Sequence, residues 1–306
     1  SPNAGWISFH TVVGTSGDQT ALAPGYLQKQ WRKDGRQYFE YSMGQQPMQH
    51  FFAFVSGRYA VHKEVYPGKE GPINLEVYYH PGHAWNIGTL LASSRAGMAY
   101  NEAHFSPFQF RQYRILEYPR YRSFAQSFPN TVPFSEALGF IQRRRKDDDV
   151  DFAYFITTHE LGHQWWGHQL IGGNVEGSNM MSETLAEYSA LMALKHQYGP
   201  DYMRKVLRTE LDGYLRGRTR ELRRERPLVL VQSEPYVWYN KGGLLMYTLA
   251  DYMGEDKVNA ALRDLLLLRR YANADPADGR DGSYPDTREF VWPRCARRRR
   301  RTCSPS

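Results

Sequence analysis

Cysteine is almost absent from this chain of 306 residues: Cys295 and Cys303 are the only two, and both lie near its C-terminal end. The first 291 residues therefore cannot form a disulfide, which excludes a fold held together by cystine bridges. The sequence also has no apolar run of the roughly 18–20 residues that cross a bilayer. Internal repeats are missing as well. These absences exclude disulfide scaffolds, collagen, coiled coils and membrane bundles.

A recognisable secretory leader is also missing from the first residues, which have no methionine, no basic segment and no apolar segment. We therefore expect the chain to be a piece of a longer protein.

Acidic residues are missing from residues 292–306, which hold six arginines. The formal net charge is +7, so without these six arginines the rest of the chain carries +1. A basic tail could bind a polyanion. Composition changes abruptly after Val291, which favours a disordered or non-native end instead. We therefore expect no nucleic-acid partner.

What is present is typical of a folded protein: 41% of the residues are hydrophobic and 23% are charged. Alternating apolar residues predict strands at 38–43, 59–66 and 73–79, and a short apolar run predicts a buried strand at 50–55. Helical periodicity predicts helices at 86–105, 149–168 and 178–198, and mostly helical structure from 201 to 270. A strand is predicted at 112–118, followed by a loop at 119–135. The fold class is therefore α+β.

The strongest motif is His159-Glu160-Leu161-Gly162-His163. Side chains four residues apart lie on the same face of a helix, so both imidazoles can reach one metal ion. Glu160 lies between them and could take a proton from the attacking water. A chance match, with two histidines that merely pack in a core, is the alternative. We predict one Zn²⁺ per chain.

A catalytic zinc usually has three protein ligands. His168 is a weak candidate, because nine residues after His159 it lies about half a turn away on a continuing helix. Glu183, on the next predicted helix, is the better candidate. Glu187, one turn further on, could be the ligand instead, or could hold a histidine in its correct tautomer.

His159 to Gly167, followed by Ser182-Glu183, resembles the gluzincin signature of M1 aminopeptidases. The gap between His163 and Glu183 is one residue longer than is usual in that family. The resemblance implies a thermolysin-like, mainly helical catalytic domain after a β-rich segment. We therefore predict the end of an N-terminal β domain at 1–80, the catalytic domain and following helices at 81–270, a polar segment at 271–291 and an Arg-rich tail at 292–306.

Two further segments match the family in part. Tyr239-Asn240-Lys241-Gly242 resembles its Tyr-x-Lys-Gly segment, which implies that Tyr239 donates a hydrogen bond to the oxyanion; Tyr236 is the fallback. Glu136 lies where the family has Gly-x-Met-Glu-Asn, although only the Glu is retained. The resemblance implies that Glu136 binds the free amino group of a peptide. A simple acid at a helix N-terminus is the alternative for Glu136.

Three functions follow from these motifs. The first is a zinc aminopeptidase acting on peptides, the second a zinc endopeptidase or dipeptidase, and the third a non-catalytic module of a transporter. Two segments, Ser-Phe-Ala-Gln-Ser-Phe-Pro-Asn at 123–130 and Gly-His-Gln at 167–169, also resemble the M1-type domain found at the C-terminal end of bacterial ABC-type permeases. That similarity implies a fused membrane region and therefore a membrane-associated full-length protein.

Overall fold

The computed structural model describes residues 6–144, 149–270 and 284–287. Within them the chain forms two compact units. The strands are β1 Trp6–Ile7, β2 His10–Ser16, β3 Thr20–Leu22, β4 Tyr26–Lys33, β5 Arg36–Ser42, β6 Met48–Gln49, β7 Val55–Gly57, β8 Ala60–Gly68, β9 Gly71–Tyr79, β10 Gln112–Tyr118 and β11 Thr131–Ser135. The helices are α1 Ile87–His104, α2 Phe152–Gly162, α3 Leu185–Tyr198, α4 Pro200–Arg218, α5 Gly242–Met253 and α6 Glu255–Arg269.

The first unit contains all the described strands, most of α1, and α2. Its largest sheet has the order β11-β10-β9-β8, with β8 antiparallel to β9, and β9, β10 and β11 parallel. The antiparallel strands β2, β5 and β4 form a second sheet, and the pairs β1–β6 and β3–β7 form two smaller ones. One core cluster joins Leu22, Phe39, Tyr41 and Leu116 with small residues of β3. Each such side chain contributes roughly 1.5–3 kcal/mol on burial.

The second unit consists of residues Ala103–Ser106 and the described residues from Trp165 onward. It is helical in its described part, and α3 is its most deeply buried helix. Gly199, with φ +81°, ends α3 as predicted, and Pro200 opens α4. No helix in the described ranges is both long enough and apolar enough to span a membrane.

The α+β prediction is confirmed, but one predicted strand and one predicted loop need correction. The run at 50–55 is not a strand: only Val55 enters one, and Phe51 and Phe54 are 43% and 53% exposed. Its aromatic rings pack on one another instead, with Phe52 edge-on to Phe9 at 5.0 Å. The predicted loop 119–135 ends in strand β11, all five residues of which are buried. Pro133 is tolerated there because β11 is an edge strand of its sheet.

Two helix predictions also need correction. The helix predicted at 149–168 begins at Phe152 and ends at Gly162. Just beyond its end, the side-chain amide of Gln164 donates to Ser127 Oγ at 2.6 Å and to the Phe128 carbonyl at 2.9 Å. The helix predicted at 178–198 begins with a π-helical turn and becomes α-helical only at Leu185.

The predicted segment boundaries at residues 80, 270 and 291 remain predictions. Of the polar segment at 271–291, only 284–287 lie within the described residues, and the tail at 292–306 lies outside them.

Candidate active site

The two histidines of the motif lie at the end of α2. The carboxylate of Asp151 accepts a hydrogen bond from the Tyr154 backbone N–H at 3.0 Å and so caps the start of this helix. The rings of His159 and His163 have centroids 4.8 Å apart and planes inclined at 88°. Both histidines and Glu160 are only 7% exposed. Burying three such polar groups is costly unless they find partners.

The other face of α2 packs against α1. A Cβ atom on Gly97 would lie 2.7 Å from Leu161 Cδ2, and Leu161 is fully buried. Glycine therefore permits a contact between the two helices that a larger residue would push apart. Because Leu161 lies within the motif, this packing fixes the rotation of α2 about its axis.

Glu160 has a buried tyrosine in its neighbourhood. Tyr113 of β10 is 1% exposed, and burial raises its pKa well above the ordinary value, with a smaller contribution from the negative charge of Glu160. Tyr113 therefore stays a neutral phenol at physiological pH.

The other predicted site residues share an unusual local structure. In the described part of the chain, π-helical turns occur at Glu136–Phe140, Met180–Thr184 and Val237–Lys241. These three turns contain Glu136, Glu183 and Tyr239. In the first, the Ile141 N–H donates to the Glu136 carbonyl at 2.9 Å, the i to i+5 bond of a π-helix. Single π-helical turns are rare and are frequent at functional sites.

The turn that carries Tyr239 is held close to the helix of Glu183. The Thr184 hydroxyl donates to the Trp238 carbonyl at 2.5 Å. A Cβ atom on Gly243 would lie 2.8 Å from Glu187 Cγ. Two consecutive glycines at the start of α5 thus let the two segments approach more closely than side chains would permit.

The predicted zinc ligands are two imidazoles and one carboxylate, and they are divided between the two units: His159 and His163 belong to the first unit and Glu183 to the second. Two histidines with a glutamate are a known donor set for catalytic zinc. The donor chemistry of these residues therefore fits a zinc ion.

The two candidate tyrosines have different surroundings. Tyr236 packs against α4, where a Cβ atom on Gly217 would lie 2.3 Å from Tyr236 Cγ. Burial raises the pKa of Tyr236, with smaller contributions from Glu221 and Glu225. Tyr236 therefore packs within its unit against α4, whereas Tyr239 lies in the π-helical turn Val237–Lys241; both side chains are partly exposed.

Glu136 has two neighbours for which the sequence predicted no role. Its carboxylate lies 3.7 Å from His83 Nδ1, and the same nitrogen contacts Glu117. Glu117 could have been found from its position, because it is a carboxylate in β10, a strand whose seven residues are all buried. A buried charge of this kind requires a partner.

Comparisons with known proteins identify the fold. No family model matches the sequence. Over 199 residues, or 61% of this chain, the sequence is 21% identical to tricorn protease-interacting factor F2 of Thermoplasma acidophilum, of which this covers 25%. The M1 zinc metallopeptidase of Deinococcus radiodurans has 17% identity and a TM-score of 0.65, covering 87% of this chain and 57% of that one. Legionella pneumophila aminopeptidase A, solved with aspartic acid, has 17% identity and a TM-score of 0.69, covering 94% and 34%.

The chain therefore has the fold of M1 zinc metallopeptidases, as the motif resemblance predicts. It spans about a quarter of the curated relative and just over half of the Deinococcus enzyme. At these identities the likeness concerns the fold. The assignment of zinc ligands, base and anchor to individual residues stays a prediction.

Proposed function

We propose that this chain is the catalytic part of a zinc aminopeptidase of the M1 type. The observation that carries the proposal is a pair of buried imidazoles one helical turn apart at the end of α2, with Glu160 between them in the sequence, on the fold of zinc peptidases. His159, His163 and Glu183 would hold the ion. Bound zinc supplies Lewis acidity, which polarises the scissile carbonyl and makes water more acidic.

Residues of the chain would supply the proton transfers and the hydrogen bond that the reaction also needs. Glu160 accepts a proton from the attacking water as its oxygen bonds to the carbonyl carbon, and it passes that proton to the amine as the C–N bond breaks. Tyr239 donates a hydrogen bond where negative charge develops on the carbonyl oxygen. A donor so placed stabilises the transition state more than the substrate.

Glu136 would select the substrate. A carboxylate that binds the ammonium group of a peptide favours chains with a free amino terminus and makes the enzyme an exopeptidase. Its side chain is 17% exposed, so a ligand can reach it.

Comparing a free aminoacyl anilide with its N-acetylated form tests the aminopeptidase assignment. We expect cleavage of the free amine only. Equal cleavage of both would establish the alternative, an endopeptidase or dipeptidase with the same metal chemistry.

Glu160→Gln tests the peptidase assignment itself. The variant removes the base but keeps the size of the side chain, so we expect turnover to fall by at least about 10²-fold. Zinc content, measured by elemental analysis beside the parent, should stay near one ion per chain. If zinc is lost together with turnover, Glu160 has been misassigned.

We also propose that the complete protein carries a permease-type membrane region. The motif resemblance to domains fused to ABC-type permeases supports this. Fractionation of cells that produce the natural full-length protein would test it: recovery in the membrane fraction is expected, and recovery in the soluble fraction would contradict it.

A further inference from the structure

A second cluster of metal-ligand atoms lies within the first unit. His83 Nδ1, one oxygen of Glu117 and one oxygen of Glu136 all lie within 4.8 Å of one another. Glu117 comes from β10, Glu136 from the turn after the neighbouring strand β11, and His83 from the segment before α1. We propose that these three residues form a second divalent-cation site.

The two carboxylates are oriented as metal ligands are. Glu117 Oε2 accepts the His80 backbone N–H at 2.5 Å, which leaves Oε1 in contact with His83 Nδ1. Glu136 Oε1 accepts the Arg120 backbone N–H at 3.2 Å, which leaves Oε2 at 3.7 Å from the same nitrogen. In each case one oxygen accepts a main-chain N–H, and the other lies near His83 Nδ1. Hydrogen bonds of this kind hold ligating carboxylates in position.

The charges of the cluster also favour a cation. Glu117 is 4% and Glu136 17% exposed by side chain, so both carboxylates are shielded from water. Within the described residues, the other cationic side chain near them is Arg120, whose Nε lies 3.7 Å from Glu136 Oε1 and which is 70% exposed. The guanidinium of Arg120 contacts Glu136 only, so the imidazole of His83 is the side-chain partner of the more deeply buried carboxylate, Glu117.

A comparable cluster in the second unit has a carboxylate that is already paired with a lysine. His104, His196 and Glu255 also offer three ligand atoms within 4.8 Å. There the Lys195 ammonium already lies 2.9 Å from Glu255, and His196 is 55% exposed. The carboxylate is therefore neutralised by a side chain, and an arriving cation would be repelled.

One imidazole with two carboxylates suits a first-row divalent ion such as Zn²⁺ or Mn²⁺. Such an ion would have a consequence that rests on the proposed function. Glu136 would then be shared between the ion and the ammonium group of the peptide. Occupancy of this site should weaken binding of free-amine substrates, raising KM while leaving kcat unchanged.

Metal stoichiometry tests the site without reference to activity. We would saturate the whole chain with Zn²⁺ by equilibrium dialysis, in a Cys295→Ser, Cys303→Ser background so that thiols add nothing, and count ions by elemental analysis. His83→Gln and Glu117→Gln should each bind one ion fewer than the parent and keep the ion of the His159 site. The matched control is His196→Gln, which should bind as many ions as the parent.

Equal stoichiometry in the parent and in both variants would overturn the proposal, and His83 would then be a hydrogen-bonding partner of the two carboxylates only. Two variants in different segments, the one before α1 and the strand β10, guard against a folding defect in one, and a retained first ion shows that the variant is folded. In a second, kinetic experiment, Zn²⁺ is added to enzyme that already holds one zinc ion, and KM for a free-amine anilide is measured. If no peptide is cleaved at all, the proposed function fails while the ion count still decides the site.

Discussion

The motif helix α2 and the three π-helical turns contrast two ways of placing functional groups. On α2 the two histidines use the regular spacing of an α-helix, and their rings come within 4.8 Å of one another. Glu136, Glu183 and Tyr239 lie on turns where that spacing is broken. Regular geometry can be recognised from the sequence, because residue spacing alone predicts which side chains meet. Irregular geometry cannot, since the widened turn depends on tertiary contacts.

The largest effect that would sharpen this contrast concerns the third ligand. Glu183→Gln should lower the affinity for zinc by more than about 100-fold, because it replaces a ligand, whereas Glu187→Gln should lower it by about 10–100-fold at most, as for a residue that supports a ligand. Competition with a chelator of known affinity measures both. The reverse ranking would assign the ligand to the α-helical position and would remove Glu183 from the contrast.

A smaller effect is expected at the third π-helical turn. Tyr239→Phe should lower kcat by about 10²–10³-fold with little change in KM, as for other lost oxyanion donors. Tyr236→Phe, three residues earlier and packed on Gly217, serves as the control and should keep kcat within a few-fold. Steady-state kinetics on one anilide substrate decides between the two. A loss confined to Tyr236→Phe would exchange their roles.

The smallest effect concerns the packing behind the motif. Gly97→Ala in α1 should destabilise the protein by about 1 kcal/mol, because the clash with Leu161 costs about 1–3 kcal/mol and the gain in helix propensity recovers up to about 1 kcal/mol. Gly88→Ala on the same helix meets no atom within 4 Å and should stabilise by about 0.5 kcal/mol. Urea unfolding of both variants measures the difference. Equal effects would show that α1 does not constrain the motif helix.

The sequence predicted much of the fold for identifiable reasons. β10 occupies the predicted residues 112–118, and α1 differs by one residue at each end from the prediction of 86–105. In both cases the composition and periodicity of the segment match its burial in the folded chain. The strand β11 was missed because its neighbours are rich in turn residues and its burial arises only on pairing with β10. The end of α2 was missed because apolar residues continue after Gly162, and the partners of Gln164 beyond that end lie 36–37 residues away in the sequence.

The candidate site was predictable to a similar degree. The sequence motif pointed to His159, Glu160 and His163, and family resemblance pointed to Glu136, Glu183 and Tyr239. His83 gave no signal of its own, and Glu117 gave only its position in the predicted strand 112–118; the two are 34 residues apart and meet only in the folded chain. Contacts of that range depend on tertiary structure and not on local pattern.

The π-helical turn at Met180–Thr184 explains how this sequence tolerates its unusual spacing. A π-helical turn takes up one residue more than an α-helical turn between the same hydrogen-bonded groups. An insertion of one amino acid between His163 and Glu183 can therefore be absorbed locally, without rotating the rest of α3 and the buried side chains along it. Deleting a single residue from that turn would consequently relieve the bulge and could restore the family's ordinary separation, an evolutionary step that needs no other change in the helix.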